Sequence, residues 1–458
     1  MCSRRNGLLA SVILIGVLVT ANAVDAVPPT AAEASAATIA AGATDAARPS
    51  TKTQFRIRPV DDAWRTSLPR SADAATQAYL DRLPTDVVAR ANAYFEGGYW
   101  LQLWNFLLGL AIAVALLAGQ RSARMRDWAQ RVGRKAFLRD AIFGAFYAAA
   151  AWLLSLPLTI YQGYVREHQY AMATQTFGPW FAEQLVGLAV SMVSFALLSA
   201  VFYAVLRRAG ERWWLWGTLV AISFFVLSVL VEPVLIDPLF NTYKPVADGP
   251  VKHAVLAMAQ ADGVPADNVF EFDASRQTTR VSANVSGIFG SASVRLNDNL
   301  LRRSSLPEIR AVMGHELGHY VLNHIYKMIA AFSLLFLLGF LFTQWAMTWL
   351  LARFDARFGL RGISDVASLP LILTVISVFS FVATPITNTL IRTQEIEADR
   401  FGLNLAREPH GEAEVDLKLT EYRKPDPTAL EEFIFFDHPS TRFRIHDAMR
   451  WREAMDTP

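Results

Sequence analysis

Six long apolar blocks dominate the hydrophobic pattern of the chain between residues 98 and 391. Each block is long enough to cross a hydrocarbon core of about 30 Å, which takes about 20 helical residues. Tryptophans stand near several block ends, where interfacial aromatic residues are expected. Six such blocks would be unusual for buried helices of a soluble protein. The pattern therefore predicts six membrane spans, at residues 100–118, 141–161, 181–206, 213–235, 328–351 and 369–391.

The first 97 residues have a different pattern. Arg4 and Arg5 precede a short apolar run, 8–19, and the small residues 21–23 resemble a cleavage site. Residues 1–23 are therefore either a signal peptide or a first membrane helix. Residues 24–50 are rich in Ala, Thr, Ser and Pro, which is typical of a disordered tether. We expect residues 24–97 to form an exported N-terminal segment that is partly disordered.

Two polar stretches interrupt the membrane pattern, at residues 236–327 and 392–458. The first has mixed helix, turn and strand signals, and the second is polar throughout. We interpret them as two parts of one catalytic domain, separated by the two spans within residues 328–391 and preceded by the four spans within residues 98–235. The predicted fold is an α-helical multi-pass membrane protein that carries a small α+β domain.

Composition narrows the kind of site that this domain can hold. The hydrophobic fraction is 53%, the charged fraction is 18%, and the net charge is +2. We find no basic stripe interleaved with aromatic residues, so we expect no nucleic-acid partner. Cys2 is the single cysteine, so a disulfide within the chain is impossible and a metal site must use histidine and carboxylate ligands.

The run HELGH at residues 315–319 supplies such ligands. His315 and His319 are four residues apart, so on a helix they share one face and can ligate one zinc ion together. Glu316 lies beside them, where it can polarise a zinc-bound water and take its proton. A helix is credible here because Ser305 and Glu308 have the spacing of a capping box.

A second acidic pair can complete the zinc site. Glu395 and Asp399 are also four apart, and Glu395 is the expected third ligand, which leaves a fourth position open for water. We expect Asp399 to fix the tautomer of a ligand imidazole through a hydrogen bond. Glu397 should point away from the face of Glu395 and Asp399. His324 is five residues beyond His319 and is expected to point elsewhere.

These motifs resemble the type I CAAX prenyl proteases, which are integral-membrane zinc endopeptidases of the gluzincin arrangement. HELGH is followed by the ExxxD run about 75 residues later. Further matches are PLFN at 238–241, LPLTIY at 156–161, and His438-Pro439 with Arg444. The resemblance covers about residues 98–458. It implies a ring of seven membrane helices around a water-filled chamber, whereas the pattern gives six spans, or seven if the N-terminal apolar run is retained.

The resemblance also implies roles for individual residues. It gives His315, His319 and Glu395 as zinc ligands, Glu316 as the general base and Asp399 as the support of a ligand. It implies that His438 donates to the oxyanion of the tetrahedral intermediate and that Arg444 supports the ligands or the intermediate. From its own sequence, His438 is better explained as a surface histidine before a turn proline.

Asn284 is a candidate for substrate binding. Residues 282–296 have turn glycines and a strand pattern, and an exposed edge strand can pair with a substrate backbone. The resembling family has an Asn-Ala pair here, whereas this chain has Asn284-Val285. An ordinary hairpin without a substrate role remains the alternative.

The predicted function is zinc-dependent hydrolysis of peptide bonds in membrane-associated or lipidated polypeptides. The alternative is a metal-binding membrane transporter or quality-control scaffold without hydrolysis. Glu316 favours the enzyme, because a binding site needs no carboxylate between two ligands, whereas hydrolysis requires a base. The export signal suggests a bacterium, where prenylated substrates are not expected. We therefore favour a broader role in degrading membrane proteins, in the bacterial inner membrane.

Topology predictions from charge and from resemblance conflict. The loops after the first, third and fifth spans lie on the same side of the membrane by parity. These loops are rich in Arg and Lys, so the positive-inside rule assigns their side to the cytoplasm. The HELGH motif would then face the periplasm. The resembling family places this domain in the cytosol. The basic residues of those three loops are Arg121, Arg124, Arg126, Arg131, Arg134, Lys135, Arg139, Arg207, Arg208, Arg212, Arg353, Arg357 and Arg361.

Overall fold

A computed structural model describes residues 55–287 and 292–456 of the chain. The proposed signal peptide or first membrane helix at 1–23 and the tether at 24–50 lie outside the described residues. Residues 288–291, which include the predicted turn residue Gly290, also lie outside them. Within the described residues, the protein is mainly helical and has one small sheet.

Within the described residues, six long helices correspond to the six apolar blocks. The first helix begins 15 residues before its block and the sixth ends 15 residues after its block, whereas the fourth ends 4 residues before the end of its block. Their bounds are α3 (Thr85–Leu117), α5 (Ala136–Ile160), α7 (Phe177–Ala209), α8 (Trp213–Val231), α12 (His324–Phe358) and α13 (Leu369–Ala406).

By length and apolar composition, the described residues contain five candidate membrane-crossing helical runs. The difference from six arises because one run, Phe177–Leu239, contains both α7 and α8. A short 3₁₀ turn, Gly210–Arg212, separates these two helices. Gly210 has a φ of 56°, a left-handed conformation that glycine adopts without a steric penalty. The turn lets α8 pack back against α7.

The membrane helices share one aromatic-rich core. α5 packs along α7, and α8 packs along α12. Phe143, Phe195, Phe225 and Phe332 are fully buried where these helices meet. Burying aromatic side chains of this size between helices holds them in a fixed arrangement.

At the membrane end opposite the sheet, short α4 (Arg121–Val132) links α3 to α5. Several arginines of this end are paired with buried carboxylates. Arg126 pairs with Asp365, while Arg139 and Arg207 lie 2.7 and 2.6 Å from the two oxygens of Asp140. The other basic residues of the three loops are mostly exposed. The excess of Arg and Lys at this end therefore remains when the arginines of these ion pairs are left out of the count.

The sheet has four strands in the order β1-β2-β4-β3. β1 and β3 are antiparallel to their neighbours, whereas β2 and β4 run parallel. β3 is therefore an edge strand, and Asn284 in it pairs with Arg295 of β4. The strands are β1 (Tyr243–Pro245), β2 (Val269–Phe272), β3 (Ala283–Ser286) and β4 (Ser293–Asn297).

Helices complete the extramembrane domain around the sheet. The HELGH motif lies in α11 (Leu306–Val321), which packs against the strand β3 and against two helices, α13 and α14 (Pro409–Leu419). The sheet's apolar core includes Val269, Val294 and Leu296 together with Val312 and Leu317 of α11. The helices are α9 (Pro250–Ala261), α10 (Asp298–Arg303), α11 (Leu306–Val321), α14 (Pro409–Leu419), α15 (Ala429–Phe435) and α16 (Thr441–Met455).

The described part of the N-terminal segment packs on this domain. It forms α1 (Asp62–Ser67) and α2 (Ala72–Leu80), and α2 lies against α14 and α16. Tyr79 is fully buried there, and its hydroxyl lies 2.8 Å from His410 Nδ1. The predicted domain boundary between residues 97 and 98 falls inside α3, because this helix begins at Thr85, well before the membrane block. Short α6 (Arg166–Gln169) follows α5 on the side of the membrane that carries the extramembrane domain. Beyond α6, Ala173 forms an isolated β-bridge with Thr278 of that domain.

Candidate metal centre

The HELGH helix α11 is fixed at its start by a capping box. The Ser305 backbone N–H donates to Glu308 Oε2 at 2.9 Å, as the sequence predicted. Lys418 on α14 lies 2.6 Å from the same carboxylate, and both side chains are buried. A buried ion pair with further hydrogen bonds holds the two helices in one register. α11 therefore presents His315 and His319 on a defined face.

The two imidazoles meet through their Nε2 atoms, which are 3.0 Å apart. Glu395, from α13, completes the group. Its Oε2 is 3.3 Å from His315 Nε2, and its Oε1 is 3.5 Å from His319 Nε2. The predicted ligands therefore come together although they are far apart in sequence.

Glycine allows the two helices to approach this closely. An added Cβ on Gly402 of α13 would lie 2.7 Å from the His315 backbone nitrogen. An added Cβ on Gly314 of α11 would lie 2.9 Å from the Gly402 carbonyl oxygen. α11 and α13 thus cross with their backbones nearly in contact. Sequence reasoning missed Gly402, whose signal was a glycine three residues after Asp399 on the same helix.

The spacing of the three donors suits a small tetrahedral cation. Bonds of about 2.0–2.1 Å at a tetrahedral angle place ligand atoms about 3.3 Å apart. The two Nε2 atoms are 3.0 Å apart, and they lie 3.3 and 3.5 Å from different oxygens of the Glu395 carboxylate, which is close to that value. Imidazole and carboxylate donors are also the types that such ions bind. The residues present therefore fit one metal ion that three protein ligands hold.

Asp399 supports one of the two imidazoles. His315 Nδ1 lies 2.7 Å from Asp399 Oδ1, and Arg444 Nη2 lies 2.9 Å from the same oxygen. Burial would lower the pKa of His315, but the carboxylates of Asp399 and Glu395 outweigh it and raise the pKa to about 9. The hydrogen bond fixes His315 with Nε2 facing the other ligands. The contact predicted between Asp399 and a ligand imidazole is present.

Arg444 is fully buried among carboxylates. Besides Asp399, its Nη2 is 3.4 Å from Glu395 Oε2, and its Nη1 is 3.5 Å from Asp416 Oδ1. Burial would lower the pKa of Arg444, but Asp399 and Asp416 outweigh it and raise the pKa. Arg444 thus contacts the predicted ligand Glu395 and also Asp399, which holds the predicted ligand His315. The acid Asp416 was not noticed in the sequence.

His324 is placed differently from the sequence expectation, which was wrong. Its Nδ1 lies 2.8 Å from Nδ1 of His319, and its Nε2 lies 3.1 Å from Glu397 Oε2. The expectation assumed one straight helix, but α11 ends at Val321 and Asn323 adopts a left-handed φ of 57°. This turn brings His324 back toward the ligand face. Glu397 lies outside the ligand group, as predicted.

His438 lies beside the third ligand. It follows α15, and its Nε2 is 3.2 Å from Glu395 Oε2. Its Nδ1 is 2.8 Å from Asp437 Oδ1. Burial lowers the pKa of His438, although Glu395 and Asp437 oppose the effect. His438 is thus a buried residue of the centre and not a surface histidine, and Asp437 is a partner that the sequence did not reveal.

Glu316 and Asn284 are the remaining predicted residues. Glu316 is only 1% exposed and follows His315 directly on α11. Asn284 lies on the edge strand β3, which packs against that helix. Its Oδ1 is buried and makes no hydrogen bond within the described residues. The structure therefore places a buried carboxylate next to His315 and an edge strand against the HELGH helix.

A bundle of membrane helices whose attached domain joins an HExxH helix to a later glutamate defines a membrane-embedded metallopeptidase. Residues 245–452 match the model of Peptidase family M48, and residues 67–242 match the model described as the CAAX prenyl protease N-terminal domain with five membrane helices. Residues 67–242 of this chain contain four of the long helices, together with short α4 and α6.

Individual relatives agree with the family models. The chain is 32% identical over 358 residues to an uncharacterized metalloprotease of Bacillus subtilis, over 76% of this chain and 84% of that protein. It is 26% identical to CAAX prenyl protease 1 of Saccharomyces cerevisiae, over 66% of this chain and 70% of that protein. The chain belongs to Peptidase family M48.

The fold also has a solved counterpart. A crystal structure of S. mikatae Ste24p aligns with a TM-score of 0.70 at 20% identity, over 81% of this chain and 90% of the other. The family and the fold together identify a multi-pass membrane metalloendopeptidase. Hydrolysis, and not the alternative of metal binding alone, is the function that the comparisons support.

Proposed function

We propose that this protein is a zinc endopeptidase in which His315, His319 and Glu395 hold one zinc ion and Glu316 acts as the general base. The observation that carries the proposal is a cluster of potential donor atoms beside a buried glutamate. His315 Nε2 lies 3.0 Å from His319 Nε2 and 3.3 Å from Glu395 Oε2, and His319 Nε2 lies 3.5 Å from Glu395 Oε1. When bound, zinc acts as a Lewis acid that polarises the scissile carbonyl and lowers the pKa of water.

The protein's own residues carry the proton transfers. Glu316 takes a proton from the attacking water as the new carbon–oxygen bond forms. It then delivers this proton to the leaving amine when the carbon–nitrogen bond breaks, which restores the carboxylate. Asp399 and Arg444 keep His315 and Glu395 in place during these steps.

His438 has the position of an oxyanion donor. Because its Nδ1–H is donated to Asp437, its Nε2 can donate only when the ring is an imidazolium. Burial lowers the pKa of His438, the Asp437 and Glu395 carboxylates oppose that effect, and a negative oxygen on the intermediate would favour the imidazolium further. Arg444 is too deeply enclosed by carboxylates for this task, so we assign it to holding Glu395 and Asp399.

The edge strand β3 is the proposed substrate platform. An extended peptide can add to this edge through main-chain hydrogen bonds, next to α11. Asn284 lies on this edge strand, and its buried Oδ1 makes no hydrogen bond within the described residues, so it is the proposed partner of a substrate amide. Main-chain pairing tolerates many side chains, which suits an endopeptidase with varied substrates.

We infer that the substrates are polypeptides at or near the membrane. The zinc ligand Glu395 lies on the same helix, α13, that spans the membrane, so the site lies close to the bilayer surface. Several relatives are named CAAX prenyl proteases. We propose that a prenyl group is not required here, because the chain's N-terminus has the pattern of a bacterial export signal.

Localisation in a bacterial inner membrane, with the catalytic domain in the periplasm, is part of the proposal. Exposed basic residues cluster at the membrane end opposite the sheet, where they would meet the cytoplasmic leaflet and its anionic lipids. Trp345 and Val382 are among the apolar residues exposed on the spans, and these would contact lipid chains.

The test is purification in detergent, measurement of zinc by elemental analysis, and profiling of cleavage with a peptide library. Cleavage should stop with a chelator and return with zinc. Peptide pairs that differ only in a farnesyl group separate the substrate classes, because equal cleavage supports the broader role. Cleavage that survives complete zinc removal would refute the proposed mechanism.

A further inference from the structure

A chain of four polar side chains leads from one metal ligand to the surface. His319 Nδ1 is 2.8 Å from His324 Nδ1, and His324 Nε2 is 3.1 Å from Glu397 Oε2. Lys327 Nζ lies 2.6 Å from the same glutamate oxygen. His324 is 3% exposed, whereas the Glu397 side chain is 45% exposed. The chain therefore begins at the buried centre and ends in solvent.

The protons in this chain have one consistent arrangement. His319 turns Nε2 toward His315 and Glu395, so Nε2 is its ligating atom and Nδ1 carries its proton. His324 must then accept at Nδ1, which places its own proton on Nε2. That proton is donated to the Glu397 carboxylate, whose charge is balanced by Lys327. No other neutral tautomer of His324 satisfies both contacts.

The two imidazole ligands are thus supported by different chemistry. His315 has a carboxylate behind it, Asp399, whereas His319 has an uncharged imidazole. Glu395 and Asp399 already bring two negative charges into a buried region that contains Arg444. A neutral acceptor behind His319 orients that ligand without adding a third charge, which would be costly to bury.

We propose that His324 is a positioning residue for the metal ligand His319 and that Glu397 sets the tautomer of His324. This inference rests on the proposed role of His319 as a zinc ligand. It gives Glu397 a function, although that residue is not a ligand itself. Residues that hold a ligand in this way affect metal affinity by about 10- to 100-fold when they are removed.

A different explanation is that His324 only fills space at the joint between α11 and α12. An asparagine at position 324 distinguishes the two explanations, because it can replace the hydrogen-bond acceptor of histidine but not its volume. The side-chain oxygen of asparagine can occupy the place of histidine Nδ1 and accept the proton of His319, but asparagine is smaller than histidine. If His324 acts as an acceptor, His324→Asn retains most of the zinc affinity that His324→Ala loses.

The experiment measures zinc affinity by chelator competition on the full-length protein in detergent, for His324→Ala, His324→Asn and Glu397→Ala. We expect about 10- to 100-fold weaker binding for His324→Ala, a smaller loss for His324→Asn and a several-fold loss for Glu397→Ala. His253→Ala is the matched control, because His253 also pairs with a carboxylate, Asp248, but its side chain is exposed at the surface of α9. The control should bind zinc as the wild type does.

Cobalt substitution gives a second readout that simple packing would not change. The visible absorption of bound cobalt depends on the geometry of its ligands, so His324→Ala should alter the spectrum, whereas His253→Ala should leave it unchanged. Unchanged zinc affinity and an unchanged cobalt spectrum in His324→Ala overturn the inference. If that variant fails to fold, unchanged affinity in both His324→Asn and Glu397→Ala overturns it.

His319→Ala separates failure of this inference from failure of the proposed function. If the wild type binds zinc and His319→Ala does not, the zinc site stands and only the His324 variants decide the inference. If His319→Ala binds zinc as tightly as the wild type, the proposed ligand set is itself wrong.

Discussion

Arg444 and Asp399 form a buried ion pair behind the metal centre, with 2.9 Å between Nη2 and Oδ1. The same guanidinium reaches Asp416, and Glu412 is buried nearby on α14. One cation thus faces several acids in a region closed to water. Burial, with the negative charges of Asp416 and Asp399, raises the pKa of Glu412 from 4.5 to about 8. The cluster therefore keeps a proton at neutral pH.

This retained proton predicts a pH-dependent stability for the metal-free protein. Between about pH 4.5 and 8 the folded state binds more protons at Glu412 than the unfolded state, so the free energy of unfolding falls as pH rises. Glu412→Gln removes that dependence. The variant should gain melting temperature relative to wild type at pH 8 and gain little at pH 4.5. The exposed Glu211→Gln is the control, and a gain that is equal at both pH values would contradict the prediction.

Glu316→Gln should retain zinc and the fold but lose about 10²- to 10⁴-fold in kcat, because an amide cannot take the proton of water. Zinc content, melting temperature and peptide cleavage are measured on the same preparation. Wild-type turnover in this variant would show that the base is another residue.

Glu395→Ala should strongly lower zinc content even at saturating zinc, because it removes one of the three proposed ligands. Glu397→Ala should still bind one zinc ion per chain at saturating zinc, since Glu397 is outside the ligand group and affects affinity alone. Elemental analysis at saturating zinc distinguishes the two variants. Equal loss of bound zinc would mean that the third ligand was assigned to the wrong carboxylate.

His438→Ala should lower kcat by about 10²- to 10³-fold with zinc still bound, if its imidazole stabilises the oxyanion. His446→Ala is a suitable comparison, because His446 lies on α16 and pairs with Asp73 at the surface. Steady-state kinetics and zinc analysis are needed together. A loss of zinc that accounts for the lost activity would instead assign His438 to holding Glu395.

A reporter that is active only in the periplasm, fused after Pro458, should be active. The argument from loop charge still holds, because the arginines that pair with Asp140 and Asp365 are a minority of the basic residues at the membrane end opposite the sheet. The control is a reporter that is active only in the cytoplasm, fused at the same position. Activity of that reporter alone would favour the cytosolic orientation of the resembling family.

The metal centre was predictable from the sequence to a large extent. His315 and His319 follow one helical turn, as do Glu395 and Asp399, so their shared faces are decided by local geometry. The apolar blocks were equally clear, because a membrane span needs a long uninterrupted run. The contacts of Arg444 and His438 came from resemblance, since nothing in their local pattern links residues 438–444 with residue 395.

Other features depend on where the chain turns in space. His324 reaches His319 only because Asn323 adopts a left-handed conformation between two helices. Gly402 matters because α11 and α13 cross there, and the helical pattern of either segment alone does not show a crossing. The packing of α2 on α16 was also missed, because the N-terminal segment has a polar composition that suggests little burial.

The single helix α13, Leu369–Ala406, joins the last predicted membrane span to the proposed third ligand, Glu395. At a rise of about 1.5 Å per residue, Glu395 stands about 6 Å beyond the end of the apolar block at residue 391. A bilayer thinner or thicker than this block changes the tilt of a spanning helix. Tilting α13 moves Glu395 relative to the two histidines of α11, which belong to a helix outside the membrane. We therefore expect the acyl-chain length of the bilayer to alter the activity of this peptidase through the position of Glu395.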